Sequence, residues 1–180
     1  MARNVLIDID NTLTNLSYTL REIESYFGCS RKEINEITDF NLASIYGIPK
    51  HKHRSFWLER ELDIVRNSQL NQNIYNVIQK EIRHSDTIYI VSARDNQLLE
   101  ATKEWLKKHN VRFDYLACIG KEKSKLDWLE ENGIEIDIVF EDEPSFVDSL
   151  DDGVDKNIID YPYNRHVKAD RRLYPLANEA

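Results

Sequence analysis

Two aspartates, Asp8 and Asp10, stand one residue apart just beyond an apolar run, Val5-Leu6-Ile7. Side chains two apart in an extended chain point to the same side, so the pair converges where such a strand ends. Carboxylates held together in a partly buried place repel and gain affinity for protons. A hard cation such as Mg²⁺, which takes oxygen ligands, relieves that repulsion. Asn11 and Thr12 add turn-forming and hydroxyl groups immediately after. Further groups recur at matching places downstream: Ser92 behind 87–91, Lys121, Lys123 and Lys125 behind 115–119, and Glu141-Asp142 behind 136–140. A carboxylate nucleophile, a hydroxyl, a cation and a metal-binding acid together suit transfer of a phosphoryl group to an aspartate and then to water.

Those groups need a scaffold that gathers strand ends. The run at 5–7 reads as a strand buried on both faces, and 87–91, 115–119, 136–140 and 157–160 read as four more. After Thr14 the apolar spacing turns helical and stays so to about Ser85. Leu16, Leu20, Ile23 and Phe27 step by three and four, with Gly28 as a stop. Ser30 with Glu33 reads as a capping box for a second helix reaching Ile37. A short helical piece at 40–46 is closed by Gly47 and Pro49, and longer helices are predicted at 51–66 and 70–84. So much helix directly after the first strand exceeds a crossover. It predicts a helical cap subdomain, 15–85, inserted into an α/β core made of 1–14 and 86–180. Helices at 96–109 and 123–132, and a short one ending near 151, separate the later strands, which predicts a doubly wound, Rossmann-like parallel sheet. The tail from Tyr161 reads as irregular or helical. In open parallel sheets, ligands bind in the crevice outside the carboxyl ends of the strands, where the strand order switches. All four groups fall at such ends.

At 180 residues, the chain is long enough for one domain with a sizeable core. Its net charge of −8 lacks the basic field that nucleic-acid polymers and anionic membranes require. A small anionic substrate remains compatible, because a local metal and a few basic groups override net charge. Cys29 and Cys118 sit in or beside apolar surroundings without the company of a zinc site, which suits a reducing cytoplasm. No apolar run approaches the roughly 18–20 residues that span a bilayer, and the N-terminus enters the first strand with no signal-peptide pattern. A cytoplasmic protein is expected.

Taken in order, these residues carry a likeness. The chain resembles the haloacid dehalogenase superfamily of phosphohydrolases: Asp8-Ile9-Asp10-Asn11-Thr12 matches its first motif, Ser92 its second, a lysine its third and Glu141-Asp142 its fourth. The closing run is more particular. Phe140-Glu141-Asp142-Glu143-Pro144, then Gly153, then Asp160-Tyr161-Pro162-Tyr163-Asn164-Arg165 resembles the cytosolic 5′(3′)-deoxyribonucleotidases and their bacterial relatives, as does a helical cap after the first motif. The resemblance implies that Asp8 attacks phosphorus and that Asp10 acts first as acid and then as base. It implies Mg²⁺ held by the Asp8 carboxylate, the Asp10 backbone carbonyl and Asp142, with Glu141 reaching the metal through water. Phosphate would meet Ser92, Arg94 and a lysine. Lys123, followed by small Ser124 and then a helix, fits the third motif best and Lys125 is next. Asn11 departs from the family's glycine, and Glu141 from the aspartate common in the nucleotidase group.

The implied partner is a small phosphorylated substrate, foremost a nucleoside monophosphate. A sugar phosphate or other small phosphoester is the rival, and a non-catalytic phospholigand-binding module is the rival of another class. Phe40, Tyr46, Phe56 and Trp57 could stack on a base or simply fill the core. The basic cluster at 50–54 reads as a solvated face or as steering for phosphate. Pro162-Tyr163-Asn164-Arg165 reads as a wall of the site or a plain turn.

Overall fold

The computed structural model describes residues 2–175. Val5, Leu6 and Ile7 have no exposed surface, and with Asn4 they form β1 (Asn4–Ile7), near the middle of the sheet. The others are β2 (Thr87–Ser92), β3 (Tyr115–Cys118), β4 (Ile138–Glu141), β5 (Asp155–Ile159) and β6 (Arg171–Leu173). All pair in parallel in the order β3-β2-β1-β4-β5-β6. Val5 faces Ile88 on one side and Ile138 on the other, so the order reverses beside β1.

Alternation along the strands splits the core into two layers. Val5, Ile7, Ile88, Ile90, Ile138 and Phe140 share one buried cluster with helical side chains including Leu20, Ile74, Trp105 and Leu106. Leu6, Val91 and Val139 turn the other way, onto Leu129, Phe146 and Leu150. The first layer takes α1 (Leu16–Phe27), α2 (Leu42–Tyr46), α3 (Lys50–Asn67), α4 (Gln72–Glu81) and α5 (Leu99–Lys108). The second takes α6 (Lys125–Glu131) and α7 (Pro144–Ser149). Helices on both faces of a parallel sheet make the doubly wound architecture that the strand pattern predicts.

Local chemistry accounts for the helix ends. The Asn15 side chain accepts the Ser17 N–H at 2.9 Å to open α1, and Gly28 closes it at φ 66°, where a side chain is strained. Ser30 does not cap a helix: 30–37 holds one tight turn, Ile34–Glu36, in which the Glu36 side chain accepts the Glu33 N–H at 2.8 Å. The helical excursion after β1 returns at Leu70, which bridges Thr14. Asn15 N–H bonds Gln69 O at 3.2 Å and Asn71 N–H bonds Leu13 O at 2.7 Å, so the two ends of the excursion are tied together. Beyond this tie α4 packs on the sheet, burying Ile74, Tyr75 and Ile78.

The tail is not wholly irregular. It makes a tight turn at Pro162–Asn164 and then β6, a three-residue edge strand carrying two arginines. Short charged strands are a common edge device, and they carry no apolar alternation to betray them in sequence. Asp160, buried at the end of β5, pairs with Arg165 and Arg172, which fastens this tail.

Asp86 fastens the start of the sheet. Its carboxylate accepts hydrogen bonds from the Arg3 backbone N–H, from Arg3 Nε and, at 2.6 Å, from an Arg3 terminal nitrogen, and also from the Arg83 N–H at 2.8 Å. The Arg3 side chain, ahead of opposing burial, holds the Asp86 carboxyl down at about 2. A pKa depressed by folding stabilises above the ordinary aspartate value of about 4 and ceases to as pH falls through the folded value. Asp86→Asn should therefore cost roughly 1–3 kcal/mol at pH 7. Urea titrations should show the gap between variant and wild type closing as pH falls towards 2. A gap independent of pH would contradict this account.

Candidate active site

β1 runs out into Asp8, whose N–H still reaches Phe140 O at 3.0 Å. The chain then makes one wide turn, Ile9–Leu13, closed by the Thr14 N–H on Ile9 O at 2.8 Å. Asn11 takes φ 63° inside it, a left-handed conformation that glycine and asparagine enter most readily. The departure from glycine thus keeps the bend and adds an amide, which donates to Asp142 Oδ2 at 3.1 Å. The neighbouring β4 ends in Glu141 and delivers Asp142. Buried carboxylates of Asp8, Glu141 and Asp142 have oxygens within 4.8 Å of one another.

Lys125 enters this cluster from the start of α6. Ser124 Oγ caps that helix by accepting the Asp127 N–H at 3.0 Å, which makes Lys125 its first residue. Lys125 Nζ donates to Asp8 Oδ1 at 2.6 Å and to Glu141 Oε2, and is itself buried. Lys123, which the motif pattern favours, is partly exposed and paired with Glu131. Lys121 lies 3.6 Å from Glu61 on α3. The structure therefore places Lys125, rather than Lys123, among the acids.

Glu141 is fully engaged: Oε2 by Lys125, Oε1 by the N–H groups of Asp142 and Glu143 at 3.0 and 3.1 Å. Asp142 Oδ2 accepts from Asn11 and from the Tyr163 hydroxyl. The Asp8 carboxylate also accepts from the Ile9 backbone N–H. Burial, joined by the charge of Asp8, pushes the Asp142 carboxyl up to about 7. Burial likewise raises Asp8 and Glu141, with Lys125 opposing in both. Three buried acids against one lysine leave excess negative charge where their oxygens converge. That donor set fits a hard divalent cation.

Asp10 points elsewhere. Arg94, buried at 3% exposure, grips the half-exposed Asp10 carboxylate in a two-pronged pair, Nε to Oδ2 at 2.9 Å and a terminal nitrogen to Oδ1 at 2.7 Å. Burial works against the Asp10 charge, but Arg94 outweighs it and holds the carboxyl below its usual range. The other Arg94 terminal nitrogen donates to Thr102 Oγ1 on α5 at 3.1 Å. Ser92, at the end of β2, is buried and its hydroxyl oxygen accepts the Arg94 N–H at 3.3 Å. Its own O–H has no acceptor among the described residues. Asp8, inside the acid–lysine cluster, acts electrostatically on Arg94 and is acted on by Asp10, which links the cluster to the Asp10–Arg94 pair.

The run Pro162-Tyr163-Asn164-Arg165, read from sequence as a wall of the site or a plain turn, lies against Asp142. Tyr163 and Asn164 belong to the wall: Asn164 Nδ2 donates to Asp142 O at 2.8 Å, and the Tyr161 hydroxyl donates to Asn11 O at 2.9 Å. Their signal was the Asp160–Arg165 run itself. Among the helical aromatics, Phe56 is fully buried core and the Tyr46 hydroxyl donates to Glu24. Phe40 is 45% exposed, edge-on to Tyr163 at 5.5 Å between ring centres. The basic residues at 50–54 lie largely exposed along the first turns of α3. Among the described residues, no helix is long and apolar enough to cross a membrane.

No family model matches the chain. Three curated relatives do. "Putative nucleotidase BH1399" of Halalkalibacterium halodurans is 27% identical over 161 residues, 88% of this chain and 80% of the relative. "Nucleotidase CA_C3379" of Clostridium acetobutylicum is 27% identical over 117 residues, 65% of this chain and 60% of its own. Among solved structures, one titled a "putative phosphoglycolate phosphatase" from Lactobacillus plantarum superposes with a TM-score of 0.65 at 18% identity, covering 98% of this chain and 97% of the other. A haloacid dehalogenase superfamily hydrolase of Geobacter sulfurreducens gives 0.56 at 14% identity, over 96% and 91%. The fold is that of the haloacid dehalogenase-type hydrolases. The sequence likeness points the same way, since the curated proteins that the chain resembles are named "putative nucleotidase" or "nucleotidase".

Proposed function

We propose that the chain is a Mg²⁺-dependent phosphomonoesterase that works through an aspartyl-phosphate on Asp8 and acts on nucleoside monophosphates. The observation that carries the reading is the buried Asp8–Glu141–Asp142 cluster, with Asp8 in electrostatic reach of Arg94 and Asp10. Asp8 and Asp142 would hold the metal, with Glu141 steadying Lys125 and the backbone N–H groups beside them. When bound, the cation neutralises charge on the phosphoryl oxygens.

Each remaining step belongs to the protein. The Asp8 carboxylate attacks phosphorus and the ester oxygen leaves with a proton supplied by Asp10; water, losing a proton to Asp10, then cleaves the acyl phosphate. Before substrate arrives, Asp10 is the ionised partner of Arg94. A phosphate dianion offers the guanidinium fork a competing bidentate partner, and Arg94 moving to it leaves Asp10 free to carry a proton. Ser92 O–H is available to the same phosphate. The helical unit 15–85, whose chain is tied together where Asn15 meets Gln69 and Asn71 meets Leu13, serves as the cap. The buried, solvent-poor setting of Asp8 suits an intermediate that water must reach only after the first leaving group has gone.

Nucleotide as substrate is supported by the likeness to nucleotidases and by the Asp160–Arg165 run that lines Asp142. Phosphate release from a panel of nucleoside monophosphates, sugar phosphates and phosphoglycolate, with Mg²⁺ and with chelator, tests both halves. The expected result is turnover that chelation abolishes, strongest on nucleotides. A flat or sugar-biased profile removes the nucleotide half, and no turnover on any ester removes the whole.

A further inference from the structure

The face of α3 nearest the loop after β3 carries a set of groups that the chemistry above does not use. His53, Trp57 and Glu61 follow one another at four-residue steps, one turn apart. Trp57 Nε1 is hydrogen-bonded to His53 Nε2 at 3.1 Å. Lys121 reaches across from the sheet side, 5.0 Å over the Trp57 ring and 3.6 Å from Glu61 Oε1. Glu61 is only 18% exposed in its side chain, whereas Lys121 is 61% exposed. The charges acting on Glu61, besides its burial, are Lys121, Asp10 and Arg94, so its carboxylate lies within electrostatic reach of the Asp10–Arg94 pair.

Asp10 is the group that meets the leaving oxygen, so whatever that oxygen carries extends into the space around Asp10. Lys121, whose charge acts on Asp10, links that space to Glu61 and Trp57 on the helical side. We propose that Glu61 sets the charge of the leaving group, admitting neutral ones and disfavouring any that carry a carboxylate or a second phosphate. This deepens the phosphomonoesterase reading and rests on it. A largely buried carboxylate repels a second anion more strongly than an exposed lysine attracts it, because solvent screens the lysine. With Glu61 neutralised, Lys121 is left without its acid and becomes a receptor for an anionic leaving group. The two residues therefore push selectivity in opposite directions, which a merely structural ion pair does not do.

The test compares 4-nitrophenyl phosphate with 4-carboxyphenyl phosphate, esters of matched shape whose leaving groups differ in charge. The quantity read is the ratio of kcat/KM for the carboxy ester to that for the nitro ester, in wild type, Glu61→Gln and Lys121→Met. Glu61→Gln should raise the ratio about tenfold and Lys121→Met should lower it several-fold, the usual scale for a nearby charge on recognition. Ratios unchanged in both variants, with turnover intact, overturn this inference and leave the phosphomonoesterase reading standing. Both ratios moving the same way also overturn it, since that marks a shared structural defect. Wild type that hydrolyses neither ester overturns the inference, while the phosphomonoesterase reading stands or falls with the panel of nucleotides and sugar phosphates above.

Discussion

Asp8→Asn is expected to lower phosphate release by on the order of 10⁴-fold or more, the scale on which enzymes lose their nucleophile. The amide keeps the shape of the carboxylate and one oxygen for the Lys125 ammonium, which now donates at 2.6 Å. It removes the electron pair that bonds phosphorus and one ligand of the proposed metal. Stability should move the other way. Burial raises the proton affinity of Asp8, with Lys125 opposing and Asp10 adding to it, so its charge is a net cost of the metal-free fold. In chelator, the variant should melt no lower than wild type, and the gain that Mg²⁺ gives wild type should shrink. Steady-state phosphate release and thermal melts with and without Mg²⁺ read both effects from one preparation. A rate within tenfold of wild type would take Asp8 out of the mechanism.

What the sequence reveals here are the places where one strand's chemistry is local. An apolar run followed by charged or hydroxyl groups marks a strand end wherever it occurs, and Asp8, Ser92 and Asp142 are all legible in that way. Register was harder. Lys123 and Lys125 differ by two positions at a helix start, and the choice turns on where α6 begins. Ser124 with Asp127 three residues on held the answer: a side chain capping the third helical N–H fixes Lys125 as the first helical residue. Pairings between distant segments left no local trace. Nothing near Asp10 announces Arg94, 84 residues away, nor near Asp142 the Tyr163 hydroxyl, 21 residues on. β6 escaped for another reason, since an edge strand of two arginines and a leucine needs only backbone partners to form.

Lys125→Met should be the most damaging single change to the metal-free fold. The side chain is 5% exposed and joins two acids that are 6% and 0% exposed, so its loss strands three buried carboxylates with no cation among them. Removing one partner of a buried pair costs roughly 3–5 kcal/mol, because the charge left behind stays desolvated. Methionine keeps much of the aliphatic stem, and the stem lies by the Phe146 ring, 5.4 Å from the ammonium to its centre, so the loss is mainly electrostatic. Two consequences distinguish this account from plain loss of packing. Carboxylates whose pKa is raised by folding bind more protons folded than unfolded, so stability falls as pH rises through the window from about 4 to the Asp142 value of about 7. The variant in chelator should therefore be more stable near the acid end of that window than at its upper end, and more steeply so than wild type. Mg²⁺ should restore part of the deficit, and restore more of it at the higher pH, because its ligands must be deprotonated. Urea midpoints measured across that window with chelator and with Mg²⁺ decide the matter. A deficit that neither pH nor Mg²⁺ alters would mean that Lys125 fills space beside Phe146 rather than balancing the acids.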